Sequence, residues 1–287
     1  MPAIIDLRRR IKSVKNTQQI TQAMKSVATA KFRTAQRAVL EGRPYWHNFS
    51  GLMANVSTWI GAELHPLLQK REEKRIICLV ITSDKGMCGS FNSNLLSSTV
   101  DFLEGKSAFS EVRLVLMGKK AVLFFEKQTF KKNRVYADQI HKLTQEDLKE
   151  LAHYLMHLYV LNQTDAVYVA YNEFKSILAP LLTITKLLPL EPPDILEKGP
   201  TVPDLEPRSP YLLETFLSRY VEDQVQHFFH ESQAAEQAAR MMAMDNATRN
   251  ADELIDELRL ILNKMRQASI TKELLEIISA VEALEKK

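Results

Sequence analysis

The last 77 residues, Tyr211–Lys287, contain neither glycine nor proline. Only a helix uses so long a stretch without a breaker, because inside a helix glycine costs about 1 kcal/mol and proline about 3 kcal/mol relative to alanine. At roughly 1.5 Å per residue such a helix would reach about 115 Å. A compact chain of this length has a radius of gyration of only about 19 Å. The sequence therefore predicts a helix that protrudes from any globular part. All 8 glycines fall between Gly42 and Gly199, which confines turn-rich structure to the middle of the chain.

The apolar spacing agrees. Leu254, Leu258, Ile261, Met265 and Ala268 step by four, three, four and three, and Leu274, Ile278 and Val281 resume the stripe displaced by one position. That drift predicts an irregular supercoil rather than a strict heptad. Leu213, Phe216, Leu217, Tyr220, Val221, Gln224, Val225, Phe228 and Phe229 form a broader stripe, suited to one buried helix face.

The N-terminal segment mirrors this pattern. No glycine or proline occurs from Ala3 to Glu41. Leu7, Ile11 and Val14 step by four and three; Ile20, Met24 and Val27 do so in a shifted frame. Gly42 and Pro44 are candidate kinks, and Pro66 is the candidate end of this helix. Alanines 28, 30, 35 and 38, with 234, 235, 238 and 239, would let two helix axes approach closely. Residues 1–43 carry 10 basic and 2 acidic side chains, whereas residues 208–287 carry 10 basic and 14 acidic. Opposite charge and matching stripes predict an antiparallel pair of long helices.

The middle reads differently. Residues 75–83, RIICLVITS, form a continuous apolar, β-branched run typical of a strand buried on both faces. Residues 111–118, 164–172 and 181–190 resemble it, with helical patterns near 92–104, 119–128 and 144–161 between them. Alternation of this kind implies an α/β domain with parallel strands. Seven of the 22 residues from Pro189 to Pro210 are proline, which marks an extended linker. The expected organisation is an N-terminal coiled-coil helix over 1–65, a Rossmann-like α/β domain over 75–190, a Pro-rich linker over 191–210 and a C-terminal coiled-coil helix over 211–287. The fold class is thus α/β plus a long antiparallel coiled coil, with the domain inserted between two halves of a rod.

Composition narrows the function classes. With 45% hydrophobic and 25% charged residues the chain is an ordinary globular mix, not collagen, a disordered tail or a disulfide scaffold. A net charge of +3 is too small for a protein that is all nucleic-acid clamp, and no run of about 18 apolar residues suggests a membrane span. Two cysteines, Cys78 and Cys88, point to a reducing compartment. The Arg-rich start could be a mitochondrial presequence, but its pattern runs unbroken into the helix, so that reading is rejected.

No catalytic constellation stands out. SDKGMCGSFN (83–92) links a strand to a helix, where Gly86 and Gly89 could cradle phosphate, but it matches neither dinucleotide nor P-loop spacing. A tight turn with Asn92 or Ser93 near the helix cap is the better reading. Cys88 could be a nucleophile, yet no histidine lies near it in sequence, so a packed small side chain fits better. His153 and His157 have helical metal-pair spacing but lack an H-E-x-x-H pattern or an evident third ligand. His227 and His230 flank Phe228 and Phe229 on an amphipathic helix. Glu253 and Glu257 lie one turn apart on a solvated face. Arg8, Arg9, Arg10, Lys12 and Lys15 could meet phosphates, but without aromatics for stacking they fit better against acidic helix partners. The expectation is no catalytic residue, no cofactor site and no metal site.

Five segments carry a resemblance. NTQQITQAMKSVATAKF (16–32), SDKGMCGSFN (83–92) and the blocks RYVEDQVQ (219–226), EQAARMMAMDNATRNADELIDELRL (236–260) and NKMRQASITKELLEIIS (263–279) resemble the signatures of the gamma subunit family of F-type ATP synthases, over essentially the full length. The resemblance implies a non-catalytic central rotor shaft. It would turn inside a ring of three alpha and three beta subunits and be joined at its base to the epsilon subunit and the c-subunit ring. Ion flow through that ring would thereby drive ATP synthesis, or ATP hydrolysis would drive the ions back. It implies a peripheral protein on the cytoplasmic side of a bacterial inner membrane, and no nucleic-acid partner. Arg266, Gln267 and Thr271 match residues that face acidic loops of beta and alpha, and Met24 matches a methionine opposite this region on the N-terminal helix.

Departures from the family pattern are Lys25, where many relatives have glutamate, the charged end SAVEALEKK (279–287), and the lack of cysteine in 190–210, so that the thiol switch of chloroplast relatives is absent. The competing readings are a coiled-coil adaptor and a nucleotide-binding α/β enzyme.

Overall fold

The computed structural model describes residues 2–60, 65–108, 110–176, 180–191 and 210–285. Two long helices bracket the chain: α1, Pro2–Ile60, and α5, Pro210–Glu285. Pro44 lies inside α1. Between the helices come β1 (Arg75–Ile81), α2 (Phe91–Ser107), β2 (Glu111–Met117), α3 (Lys119–Phe125), β3 (Lys131–Tyr136), α4 (Gln145–Val160), β4 (Ala166–Phe174) and β5 (Pro180–Leu188). Pro66 opens a short 3-10 turn, Pro66–Leu68. Residues 61–64, between α1 and this turn, and most of the expected linker, 192–209, lie outside the described residues.

Tertiary contacts divide the chain into two compact units, residues 28–240 and residues 1–27 with 241–287. In the larger unit the five strands run in the order β3-β2-β1-β4-β5. β1 pairs in parallel with β2 and β4, and β2 in parallel with β3. The β1 run is buried from Ile76 to Ile81, as its unbroken apolar sequence requires. Alternate residues serve opposite faces. Ile77, Leu79 and Ile81 join a core with Leu151, Leu155 and Tyr159 of α4 and Leu217, Val221, Val225 and Phe228 of α5. Ile76, Cys78 and Val80 pack with Leu95 and Leu103 of α2 and Phe125 of α3. The broad stripe at 213–229 is thus the face that covers one side of the sheet.

Two sequence expectations need correction here. The sheet is mixed: β5 runs antiparallel to β4. Only five residues separate Phe174 from Pro180, whereas a parallel return needs a crossover of a dozen or more. In addition, β3 was not anticipated. Its sequence, KKNRVY, is half basic and mostly exposed, because it is an edge strand, where charge discourages pairing with other chains.

Gly118, between β2 and α3, has φ +101°, and a Cβ there would meet Thr82 Oγ1 at 2.5 Å and Thr82 O at 2.6 Å. The Thr82 hydroxyl donates to Met117 O at 3.0 Å and accepts from Ala121 N at 3.0 Å. Only glycine permits so close an approach of the two chain segments.

Candidate functional site: helix seam and switch-point crevice

The smaller unit is an antiparallel helix pair. Its register is set by Thr21 and Thr248, whose hydroxyls lie 2.8 Å apart, and by Lys25, which donates to Asp245 at 2.5 Å. On α5 the buried or half-buried face is Met244, Thr248, Ala251, Ile255, Leu258, Leu262 and Met265. The steps alternate four and three without a break. On α1 the inward face is Ile4, Leu7, Ile11, Val14, Gln18, Thr21 and Lys25, stepping three and four throughout. In the register of the threonine pair, Ile4, Leu7, Ile11, Val14 and Gln18 fall level with Met265, Leu262, Leu258, Ile255 and Ala251.

This corrects the expected drift. Ile20 and Val27, assigned to a shifted frame, are 60% and 58% exposed. The seam keeps one heptad frame because Gln18 and Thr21 occupy it in place of aliphatic side chains. Likewise Ile255 and Leu262 line the seam beside Leu258 and Met265, with Leu254 half-buried at its flank and Ile261 exposed. Ile261 and Ala268 are exposed. A strict 3.5-residue period is the condition for regular left-handed supercoiling.

The resemblance-based residues distribute along this pair. Arg266, Gln267 and Thr271 are exposed on α5. They form one local patch, with the Thr271 hydroxyl donating to Gln267 O at 3.0 Å. Met24 is half-buried beside Lys25. The register places it level with Asp245, about 30 Å along α5 from Arg266 at 1.5 Å per residue. Met24 therefore does not stand opposite the Arg-Gln patch, and the four residues mark two separate levels.

Past Met265 the seam has run out of α1, since Ile4 is already level with it. The next turns of α5 nevertheless stay apolar: Ile270, Leu274, Leu275, Ile277 and Ile278 are 49–60% exposed. So many large aliphatic side chains in solvent within three turns mark an interaction surface. Sequence periodicity finds Leu274 and Ile278 as a stripe but cannot tell that among the described residues no helix covers them. Val281 lies outside the residues whose side chains are described.

In the larger unit, the β3-β2-β1-β4 order reverses direction at β1, and ligands of open α/β sheets bind at the carboxyl ends of strands beside such a point. The loop 83–90 occupies that place. Arg240 of α5 donates to Lys85 O at 3.2 Å and to Gly86 O at 3.5 Å, and holds Glu236 at 2.7 Å. The loop therefore turns carbonyl oxygens toward a cation, the reverse of a phosphate cradle. Phe32 and Val39 of α1 and Ala234, Ala235 and Ala238 of α5 pack with Cys88, Phe91 and Phe174. The crevice is filled by the chain's own helices.

Asp84 braces this loop by accepting from Lys119 N and Asp138 N at 3.0 Å each and from Ile140 N at 3.1 Å. Asn92 accepts from Ser83 N at 3.1 Å and donates to Cys88 Sγ at 3.1 Å. Ser90 is the N-cap of α2, with Asn92 and Ser93 close by in its first turn. Burial pushes the Cys88 thiol above its ordinary value and Cys78 to about 12, so neither is an activated thiolate.

His153 Nε2 lies 2.9 Å from Glu222 Oε1, and with His157 it borders an open groove between α4 and α5. Among the described residues no cluster of three or more His, Cys, Asp or Glu side chains is placed to hold a metal ion. Nor is any described helix long and apolar enough to cross a membrane.

At the end of β4 a second polar assembly joins three elements. Glu231 of α5 is 1% exposed and accepts from Arg43 Nε of α1 at 3.2 Å and from Phe174 N at 2.9 Å. Arg43 Nη2 donates to Phe174 O. Burial pushes the Glu231 carboxyl up, while the guanidinium and the amide pull against it. His227 packs against Trp46 with ring centroids 4.1 Å apart and planes tilted by 51°, and burial pushes its imidazole down to about 4. Sequence reading missed Arg43 and Glu231, because a charged residue on a helix reads as solvated until its partner is known.

A family described as ATP synthase matches residues 3–284. The ATP synthase gamma chain of Pelotomaculum thermopropionicum is 41% identical over 286 residues, spanning 99% of this chain and 100% of the relative. That of Desulforudis audaxviator is 42% identical over 298 residues, with coverage of 99% and 100%. Among solved structures, a chain of the Euglena gracilis mitochondrial ATP synthase aligns with a TM-score of 0.69 at 21% identity, covering 99% of this chain and 95% of that one. A chain of the Tetrahymena thermophila mitochondrial ATP synthase central stalk and c-ring aligns with a TM-score of 0.61 at 24% identity, covering 79% and 99%. At those identities the structural matches establish the shared fold.

Proposed function

Given that this chain belongs to the ATP synthase gamma chain family, we propose that it is the non-catalytic central rotor shaft of a bacterial F-type ATP synthase. Residues 1–65 and 211–287 supply the shaft, 75–190 the α/β domain and 191–210 the connection between domain and shaft. The partners are three alpha and three beta subunits around the shaft, with the epsilon subunit and the c-subunit ring at its base. The protein is peripheral to the cytoplasmic face of the inner membrane.

The observation that carries this reading is the end of α5. Ile270, Leu274, Ile277 and Ile278 are at least 49% exposed, beyond the reach of α1. A helix end of that kind needs an apolar sleeve supplied by other chains. Arg266, Gln267 and Thr271, and on a separate level Met24, are the proposed contacts with alpha and beta. An asymmetric shaft meets each of three equivalent catalytic subunits differently at any instant, and a differential contact of this sort is what shifts a conformational equilibrium.

The alternative of a nucleotide-binding enzyme has its expected crevice occupied by Phe32, Ala235 and Arg240. Affinity purification of this chain from its native membrane tests the reading. Alpha and beta are expected at three copies each per copy of this chain. Recovery of a self-associated chain alone would favour an adaptor instead.

A further inference from the structure

The Arg43–Glu231 assembly has a geometry that simple burial does not require. Phe174 is the last residue of β4 and is paired with Pro180 of β5, while β1 pairs with β4 only as far as Ala170, so its backbone N–H and C=O take partners outside the sheet. Glu231 takes the N–H and Arg43 takes the C=O, while the two side chains bind each other. One residue from α1, one from α5 and one from the sheet are thus closed into a ring of directed contacts. In the surrounding contact α5 presents Ala234, Ala235 and Ala238, against Phe32, Ala35 and Val39 of α1. Small side chains give close approach but few interlocking ridges. Apolar contact is non-directional and resists sliding weakly, whereas charge-assisted hydrogen bonds lose strength steeply with misalignment.

Resting on the rotor reading above, we propose that Arg43 and Glu231, closed on both backbone groups of Phe174, are the key that locks α1 and α5 to the sheet against shear, so that torque passes between the helices and the α/β domain through this ring. With Glu231 buried but the Arg43 side chain 40% exposed, the ion pair is a poor source of net stability compared with apolar packing. Its retention beside an alanine-rich contact is explained by directionality. The role is positioning and mechanical, and neither residue touches nucleotide or ion.

The test uses the whole complex reconstituted in sealed vesicles, with Arg43→Gln, Glu231→Gln, the double variant and the exchanged pair Arg43→Glu/Glu231→Arg. ATP turnover is measured without load, with the membrane made leaky, and ion pumping per ATP is measured against a gradient. Unloaded turnover is expected to stay within about twofold of the parent, while the loaded ratio falls about threefold or more. The double variant should be no worse than the poorer single, since one ring is broken either way. The exchanged pair should fail to recover, because arginine at 231 would set donors against the Phe174 N–H.

Three results would overturn the proposal: a loaded ratio unchanged in both single variants, recovery in the exchanged pair, or equal losses of loaded and unloaded activity. If Glu231→Gln prevents assembly, Arg43→Gln decides alone, since Glu231 keeps its Phe174 amide there. The rotor reading fails separately, by absence of alpha and beta from the purified parent.

Discussion

Thr21 accepts from Thr248 across the helix seam at 2.8 Å and gives its own proton to Gln18 O at 2.9 Å, while the single Thr248 proton is shared between Thr21 Oγ1 and Met244 O, also at 2.8 Å. Both are buried. The layers toward the start of α1, from Val14 to Ile4, are aliphatic on that side. A polar layer in such a seam fixes register, because a slide would bury a hydroxyl against an aliphatic side chain.

Thr248→Val and Thr21→Val should each lower stability by about 0.5–1.5 kcal/mol, and the double variant by less than the sum. Chemical denaturation of the four proteins checks this. Strictly additive losses would show that the hydroxyls do not interact.

The heptad frame makes a second claim. Leu258 is 4% exposed and Leu260 63% exposed. Leu258→Ala should cost about 2–5 kcal/mol as a core truncation, whereas Leu260→Ala should stay within about 0.5 kcal/mol. Denaturation midpoints of the two variants separate this frame from any other.

Met24 adjoins Lys25, which is held by Asp245, itself bridged to Arg249 at 2.7 Å. Met24→Lys adds a third cation to this level of the seam, where the rotor reading proposes a contact with alpha or beta. Coupling should suffer: ions pumped per ATP in reconstituted vesicles should fall. An unchanged ratio would remove Met24 from the proposed contacts.

Among the groups whose values are lowered, Glu73 and His227 are shifted furthest and shape the chain's acid limb, with half-buried His65 and His230 lowered in the same direction as His227. Burial pushes the Glu73 carboxyl up, but hydrogen bonds from Lys106, Lys186 and Tyr168 outweigh it and hold the group at about 2. Its contribution is complete above its ordinary 4.5 and is lost as pH falls toward about 2. His227 is pushed from 6.5 to about 4 by burial, with Arg43 and His230 adding to it. Because the unfolded chain takes up that proton first, stability falls between pH 6.5 and about 4. Melting temperature against pH should therefore decline in two stages. His227→Phe should flatten the upper stage and Glu73→Gln the lower. A parent curve that is level from pH 6.5 to 4 would contradict the His227 assignment.

Much of this was legible in the residues because it depended on period and breakers. The absence of glycine and proline after Pro210 announced α5, and the continuous apolar run at β1 announced a strand covered on both sides. The signature blocks at 16–32 and 236–279 carried the family, which matched relatives then confirmed along the whole chain. β3 was hidden because an edge strand with one solvated face carries lysines where a central strand would carry valines. The seam frame was misread because Gln18, Thr21 and Thr248 do not look like core until their partners are known.

Local chemistry thus determined which segments are helix or strand and which face of each is apolar, since those follow from backbone propensity and side-chain spacing along one stretch of chain. Only the tertiary structure decided the register that sets Met24 some 30 Å from Arg266, the filling of the crevice at the end of β1, and the closure of Arg43 and Glu231 on Phe174. Each of those is a pairing between residues far apart in sequence. Such pairings are chosen by which combination buries apolar surface while leaving every buried polar group a partner, a condition on the whole fold that no single stretch of sequence contains.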